Sequence, residues 1–199
     1  MPQIILKDEF DEMTKVKGEM RGNGPRNIGE FILKQEGERG LKQVEDIMGK
    51  LGYPIKYTKI DPMGFQPLWL VSITLLAAKR LFNFSNEDFQ KMGEADVKFT
   101  SIQRLFMKYF ISIEQAAKAA SKMWAKYNIE GNLELAEYNE KERRVVLRVT
   151  NWALNEYHCQ YLIGYFRAVT QMAAKGVATC EETKCVHRGD KYHEFLIKW

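Results

Sequence analysis

Residues 133–149 read LELAEYNEKERRVVLRV. Apolar side chains alternate with polar ones on both sides of a polar NEKE turn: Leu133 and Leu135 before it, Val145, Leu147 and Val149 after it. A period of two is the spacing of one strand face, so the stretch predicts a β-hairpin. A second hairpin is predicted at the end of the chain, with VATCEETKC (177–185) and YHEFLIKW (192–199) on either side of the turn HRGDK. Between the two hairpins, Asn155 to Lys175 carries helical spacing, and Gly176 ends the helix.

Upstream the pattern is helical. Ile28, Phe31 and Ile32 begin one helix, interrupted near Gly37 and Gly40. Leu41, Val44, Ile47, Met48 and Leu51 continue in a second, with Gly52 where a C-cap belongs. Residues 53–65 hold Pro54, Pro62 and Gly64 and read as an irregular connector. From Pro67, suited to a first helical turn, a helix that is apolar nearly all round runs to Phe82 and should be buried on several sides. SNED at Ser85–Asp88 resembles a capping box and opens a short helix with Phe89 and Met92. Two more helices are predicted, from about Thr100 to Ile111 and from a cap at Ser112 through Trp124. The polar first twenty-odd residues, broken by Gly22, Gly24 and Pro25, read as a loosely docked lead.

Helices followed by hairpin, helix and hairpin predict an α+β fold, several helices packed on a small twisted antiparallel sheet. The 199 residues divide into an N-terminal helical segment, 1–50, and a second unit, 51–199.

Bulk properties narrow the function. Net charge is +4 with no long basic run, which gives nucleic-acid binding no support. The most apolar stretch, Leu68–Ala78, is far short of the roughly 20 residues a bilayer span needs. The start lacks the features of a signal peptide, and three cysteines do not make a disulfide framework, so a reducing cytoplasm is expected. No nucleotide-binding glycine loop, nucleophile elbow or acid/base pair marks an enzyme. GEMRGNG at residues 18–24 is glycine-rich, but no strand is predicted before it.

The chemistry gathers in the last third. Cys159 shares a helix face with Leu162, Phe166, Val169 and Ala173, and so points inward. His193 alternates in step with Phe195, Ile197 and Trp199. Cys180 and Glu182 share a strand face, and Cys185 stands just before the turn. Buried imidazole, carboxylate and thiol need partners, and zinc accepts all three. The plainer alternative is a buried thiol and a hydrogen-bonded core histidine with no metal.

The run CEETKC (180–185), Gly189–Asp190 and His193–Glu194–Phe195 resembles the end of the 4-vinyl reductase domain family, most specifically over residues 131–199. The resemblance implies helices on a twisted antiparallel sheet, similar to TRAPP vesicle-tethering subunits and, more distantly, to haem nitric-oxide-binding domains. It implies a structural zinc held by Cys159, Glu182, Cys185 and His193, with His193 standing where the family has cysteine. Cys180 and His187 then fall outside the set. It also implies that 51–199 is a ligand-binding sensor domain for a small apolar or aromatic molecule, that the chain pairs as a homodimer with 1–50 offered as the dimerisation element, and that it signals to a partner protein. Candidate pocket residues are Phe106, Phe110, Trp124, Trp152, Tyr161 and Tyr165, though aromatics at helical spacing are equally ordinary core. Two alternatives stay open: an acyl-chain-binding scaffold like the TRAPP subunits, and a haem-binding gas sensor. For haem, His158 is the helix histidine to suspect, and the Tyr-x-Ser-x-Arg pattern of haem nitric-oxide sensors is missing.

Overall fold

Both predicted hairpins form, and they join into one sheet. The computed structural model describes residues 4–99, 112–152 and 154–199. Its elements are α1 (Lys7–Met13), β1 (Glu19–Arg21), α2 (Asn23–Lys50), β2 (Phe65–Pro67), α3 (Trp69–Phe82), α4 (Asn86–Phe99), α5 (Ile113–Tyr127), β3 (Asn132–Asn139), β4 (Arg144–Thr150), α6 (Glu156–Ala174), β5 (Thr179–Lys184) and β6 (His193–Lys198). Strands β3, β4, β6 and β5 lie side by side in that order, all antiparallel. The fold is α+β, as the alternation predicts.

Register explains the sheet's two faces. Leu147 stands opposite Leu135 on one side and Phe195 on the other, while Val149 faces Leu133 and His193. These alternate residues point one way, and Leu133, Val145, Leu147, Val149, His193, Phe195 and Ile197 are buried beneath the helices. The opposite face is laced with charge. Arg148 meets Glu194 at 2.7 Å, and Arg144 meets Glu137 at 2.7 Å. Such partly exposed pairs contribute at most about 1 kcal/mol each. They keep this face wet and thereby fix which face is buried.

Helix α6 lies across the buried face, with Phe166 edge-on to Phe195 at 5.1 Å between ring centres. Its other side meets α4 almost backbone to backbone. A Cβ on Gly164 would stand 1.9 Å from the Gln90 carbonyl oxygen, and one on Gly93 would stand 2.0 Å from that of Tyr161. Two glycines facing each other allow this crossing, and any larger side chain would push the helices apart. Helix α3 is the apolar rod its composition predicts: Leu70, Val71, Ile73, Leu75, Ala77 and Ala78 are all buried.

Local signals place several ends. Ser85 and Asp88 cap each other reciprocally at the start of α4, at 2.8 Å (Ser85 N–H to Asp88 Oδ2) and 3.2 Å (Asp88 N–H to Ser85 Oγ). The Ser112 hydroxyl accepts the Gln115 N–H at the start of α5. At the end of α2, Gly52 takes φ +89° while Tyr53 N–H donates to the Met48 carbonyl and Gly52 N–H to that of Gly49. That pair of bonds is a Schellman closure, and it needs the left-handed conformation glycine adopts freely. The break predicted near Gly37 is present as a kink within α2, with φ +70°.

Three readings are corrected. The N-terminal lead is docked: Ile5 and Phe10 are buried, Phe10 packs edge-on against Trp69, and Arg80 holds Glu9 with two hydrogen bonds of 2.6 and 2.7 Å. Two apolar anchors in a charged segment suffice to bury it. Gly22, Gly24 and Pro25 enter α2 at its cap and first turn, where proline costs no hydrogen bond. Finally, Pro67 ends strand β2, which pairs with β1, and α3 starts at Trp69. Three-residue strands are too short for a period-two signal to show. Among the described residues one hydrophobic cluster runs from Ile5 to Ile197, across residue 50.

Candidate functional site

Two groups of side chains gather against α6. The first is polar and closely gathered. Cys159 on α6, Glu182 on β5, Cys185 just past the end of β5 and His193 at the start of β6 place one potential ligand atom each within 4.8 Å of one another. Cys159 Sγ lies 3.8 Å from Cys185 Sγ and 3.6 Å from His193 Nδ1. Two thiolates and an imidazole bound tetrahedrally to one zinc would stand about 3.8 and 3.6 Å apart, from metal–ligand bonds of roughly 2.3 and 2.05 Å. The Glu182 carboxylate is closer to His193 Nδ1, at 2.8 Å, a hydrogen-bond distance rather than the roughly 3.4 Å of co-ligands.

The surrounding bonds orient these groups. The Asp190 carboxylate accepts the Cys185 N–H at 2.8 Å, and Asp190 N–H returns a bond to the Cys185 carbonyl. Gly189, at φ +92°, lets the turn reverse between them. His193 Nε2 lies 3.4 Å from the Trp152 carbonyl, which can only accept. Without a metal, Nδ1 carries the hydrogen that the ionised Glu182 carboxylate accepts; ligation through Nδ1 would move that hydrogen to Nε2, toward the Trp152 carbonyl, the arrangement in which a metal-bound histidine is usually held.

Electrostatics make the cluster costly when empty of charge partners. Burial pushes the Cys159 thiol far up, with the Glu182 carboxylate and the Cys185 thiol adding to it. Burial also raises Cys185. Glu182 moves the other way: burial opposes ionisation, but hydrogen bonds involving His193 and Cys185 outweigh it and hold the carboxyl below its ordinary value. A divalent cation would reverse the thiols' preference, because ligation favours the thiolate. Cys180 stands outside this group, its thiol pushed up to about 12 by burial. His187 also stands apart, with Nε2 2.9 Å from the Leu154 carbonyl.

The second group is an apolar cavity of about 170 Å³ between α4, α5, α6 and the sheet. Trp124, Trp152, Tyr161 and Tyr165 all line it. Phe106 and Phe110 lie outside the described residues. Trp124 and Trp152 meet edge-on at 4.7 Å, and the Trp124 indole donates to the Gly131 carbonyl at 3.1 Å.

Two polar residues of this cavity escape a sequence reading that looks for aromatics. Asp96 is buried in the wall, accepting from the Tyr161 hydroxyl and the Asn27 amide. Its signal was spacing: with Phe89 and Met92 it falls at i, i+3, i+7, an acid on the apolar stripe of α4. His158, 3% exposed, also lines the cavity, stacked on Tyr161 with ring centres 5.3 Å apart. Its Nδ1 accepts the Trp152 indole N–H at 3.1 Å. Burial, with a smaller contribution from His193, lowers its pKa to about 3, so the ring is neutral near pH 7.

No family model matches the chain, and no curated protein does. The resemblance to the 4-vinyl reductase domain therefore has no independent support. The architecture does match solved structures. An H-NOX protein from S. oneidensis in the Fe(II)NO ligation state superposes with a TM-score of 0.69 at 11% identity, covering 90% of this chain and 98% of that one. An oxygen-binding H-NOX domain related to soluble guanylate cyclases, as its oxygen complex, gives 0.66 at 11%, covering 90% and 94%. The Fe(II) unliganded H-NOX protein from K. algicida gives 0.61 at 11%, covering 90% and 96%. The chain thus has the H-NOX fold, the more distant of the two relatives its C-terminal motif implied.

That fold calls for a test of haem against the residues present. The sequence has no histidine before His158, so none stands on α1 to α5. His158 is the cavity's histidine, and an indole that can only donate holds its Nδ1, which leaves the proton on Nε2. An axial bond from Nε2 would require that proton to leave or move. The cavity of about 170 Å³, which opens to the surface, is close to the roughly 150 Å³ that holds a molecule of benzene's size. The described residues therefore do not provide a ready haem site. No helix among them is long and apolar enough to cross a membrane.

Proposed function

We propose that this chain is a small-molecule-binding sensor domain on the H-NOX scaffold. The apolar cavity is its ligand site, and Cys159, Glu182, Cys185 and His193 form a structural zinc centre. The observation that carries the sensor reading is the cavity, walled by aromatic rings in a fold whose solved examples include NO- and oxygen-ligated proteins. Its volume favours one small apolar or aromatic molecule over the acyl chain of a TRAPP-like scaffold.

In this reading the zinc joins the β5–β6 hairpin to α6. Four protein ligands leave no open position for a substrate, so the centre is structural, and the sensor reading assigns the domain no reaction. Three free cysteines suit a reducing cytoplasm, where thiolate ligands persist. A sensor needs an output, so a homodimer, with residues 1–50 at its contact, and a signalling partner belong to the same proposal.

A second reading, a haem-binding gas sensor, is favoured by the comparisons, since the three structures described above are H-NOX proteins in iron-ligation states or an oxygen complex. They support it more directly than they support zinc or an organic ligand. The test separates the two. Protein purified without added metal or haem is examined by visible absorbance and native mass spectrometry. One zinc per chain without a haem absorption band supports the first reading. A haem band with the porphyrin mass replaces it with the second. A metal-free, ligand-free monomer overturns both the zinc and the sensor readings.

A further inference from the structure

His158 is a buried histidine with one nitrogen occupied. The Trp152 indole donates to its Nδ1 at 3.1 Å, and an indole nitrogen has no acceptor capacity. The neutral ring must then carry its proton on Nε2. Among the described residues no protein acceptor meets that Nε2–H; the one sealed side-chain atom without a partner there is Asn155 Oδ1, so Nε2 opens on the cavity whose wall the ring forms. Other polar groups of the wall are differently placed. The Tyr161 hydroxyl is committed to Asp96, whose carboxylate also receives the Asn27 amide, so that corner is an internal network. An N–H that has no protein acceptor and opens on a cavity can meet an acceptor on a bound molecule, and a ligand that lacks one displaces its water without replacing the bond.

We propose that His158 sets the cavity's selectivity, donating its Nε2 hydrogen to a hydrogen-bond acceptor, a carbonyl above all, on a ligand the size of one substituted ring. Trp152 is the positioning residue, since its indole fixes the tautomer. The proposal deepens the sensor reading and rests on it. It predicts that hydrocarbons of matching shape fit the cavity but leave the donor unpaired, and so bind less tightly.

The test uses acetophenone and α-methylstyrene, which differ in shape only by C=O against C=CH2, titrated calorimetrically into the full chain. Acetophenone is expected to bind roughly 2- to 12-fold more tightly, the range of one net neutral hydrogen bond. His158→Leu should bring that ratio to about one, and His158→Gln, which keeps an N–H donor, should restore part of it. A measurement on the unaltered chain does not depend on variant folding: nitrogen-15 shifts of the imidazole should report a protonated Nε2 and a bare Nδ1. Equal affinities for the two probes, or a bare Nε2, overturn the proposal and leave the sensor reading standing. If neither probe binds, the cavity reading falls and the proposal with it.

Discussion

His158 and Cys159 are neighbours on α6, yet they serve opposite environments. His158 faces an apolar cavity in which little is charged. Cys159 faces a thiol, carboxylate and imidazole cluster in which little is apolar. Trp152 touches both: its indole donates to His158, and its carbonyl lies against His193 Nε2. The cluster is built from short-range features, two strands and a turn that bring three of its four groups together within a dozen residues. The cavity is built from three helices and a sheet far apart in the chain, and its shape depends on how closely those helices approach. In the proposed reading one region is a staple and the other a container, and both use the same helix as a wall.

The comparison breaks most completely at that wall. Gly164→Ala forces a Cβ onto the Gln90 carbonyl and should cost at least about 3 kcal/mol, read from chemical denaturation. Because α6 serves both regions, this variant should lose metal binding and cavity binding together. An unchanged midpoint would mean that α4 and α6 do not cross at these glycines.

Next in size is the staple alone. Removing zinc from the loaded protein with a chelator, or replacing Cys185→Ser, should lower the melting temperature by on the order of 10 °C. Cavity affinity measured well below that temperature should change little. A chelator that leaves the melting temperature untouched would remove the structural role of the metal.

The container is tested alone by Ala120→Phe, which adds a ring where α5 lines the cavity. Acetophenone affinity should fall at least tenfold, while the melting temperature moves by only a few degrees, since the added ring fills existing space. A large loss of stability with affinity retained would show that the ring is not accommodated there.

The smallest effect is expected at the rim of the staple. Arg188 reaches the Glu182 carboxylate at 3.4 Å and its carbonyl at 3.0 Å, but its side chain is half exposed. Arg188→Ala should change stability by less than about 1 kcal/mol in thermal denaturation, as screened pairs do. A larger change would place Arg188 inside the cluster's energetics.

How much was legible follows the same division. The alternation around NEKE announced the sheet, and helix phase and strand period turned Cys159 and His193 inward; the grouping of these two with Glu182 and Cys185 came from the family resemblance, and the structure brings the four together. Of the cavity, Trp124, Trp152, Tyr161 and Tyr165 were named only as aromatics at helical spacing, a pattern shared by any core. Asp96 passed unnoticed, although its place in the Phe89–Met92 stripe was visible. The docked lead and the β1–β2 pair were hidden because their signals are two apolar residues and three-residue strands.

By itself the sequence determined the longer helices, the two hairpins and the buried face of the sheet, because these follow from local periodicity. The tertiary structure decided which of two adjacent α6 residues meets the cluster and which the cavity, and that His158 carries its proton on Nε2. Those depend on contacts between elements: the glycine crossing at Gly93 and Gly164 and the reach of the Trp152 indole. Such contacts join residues far apart in the chain, where sequence spacing carries no distance information.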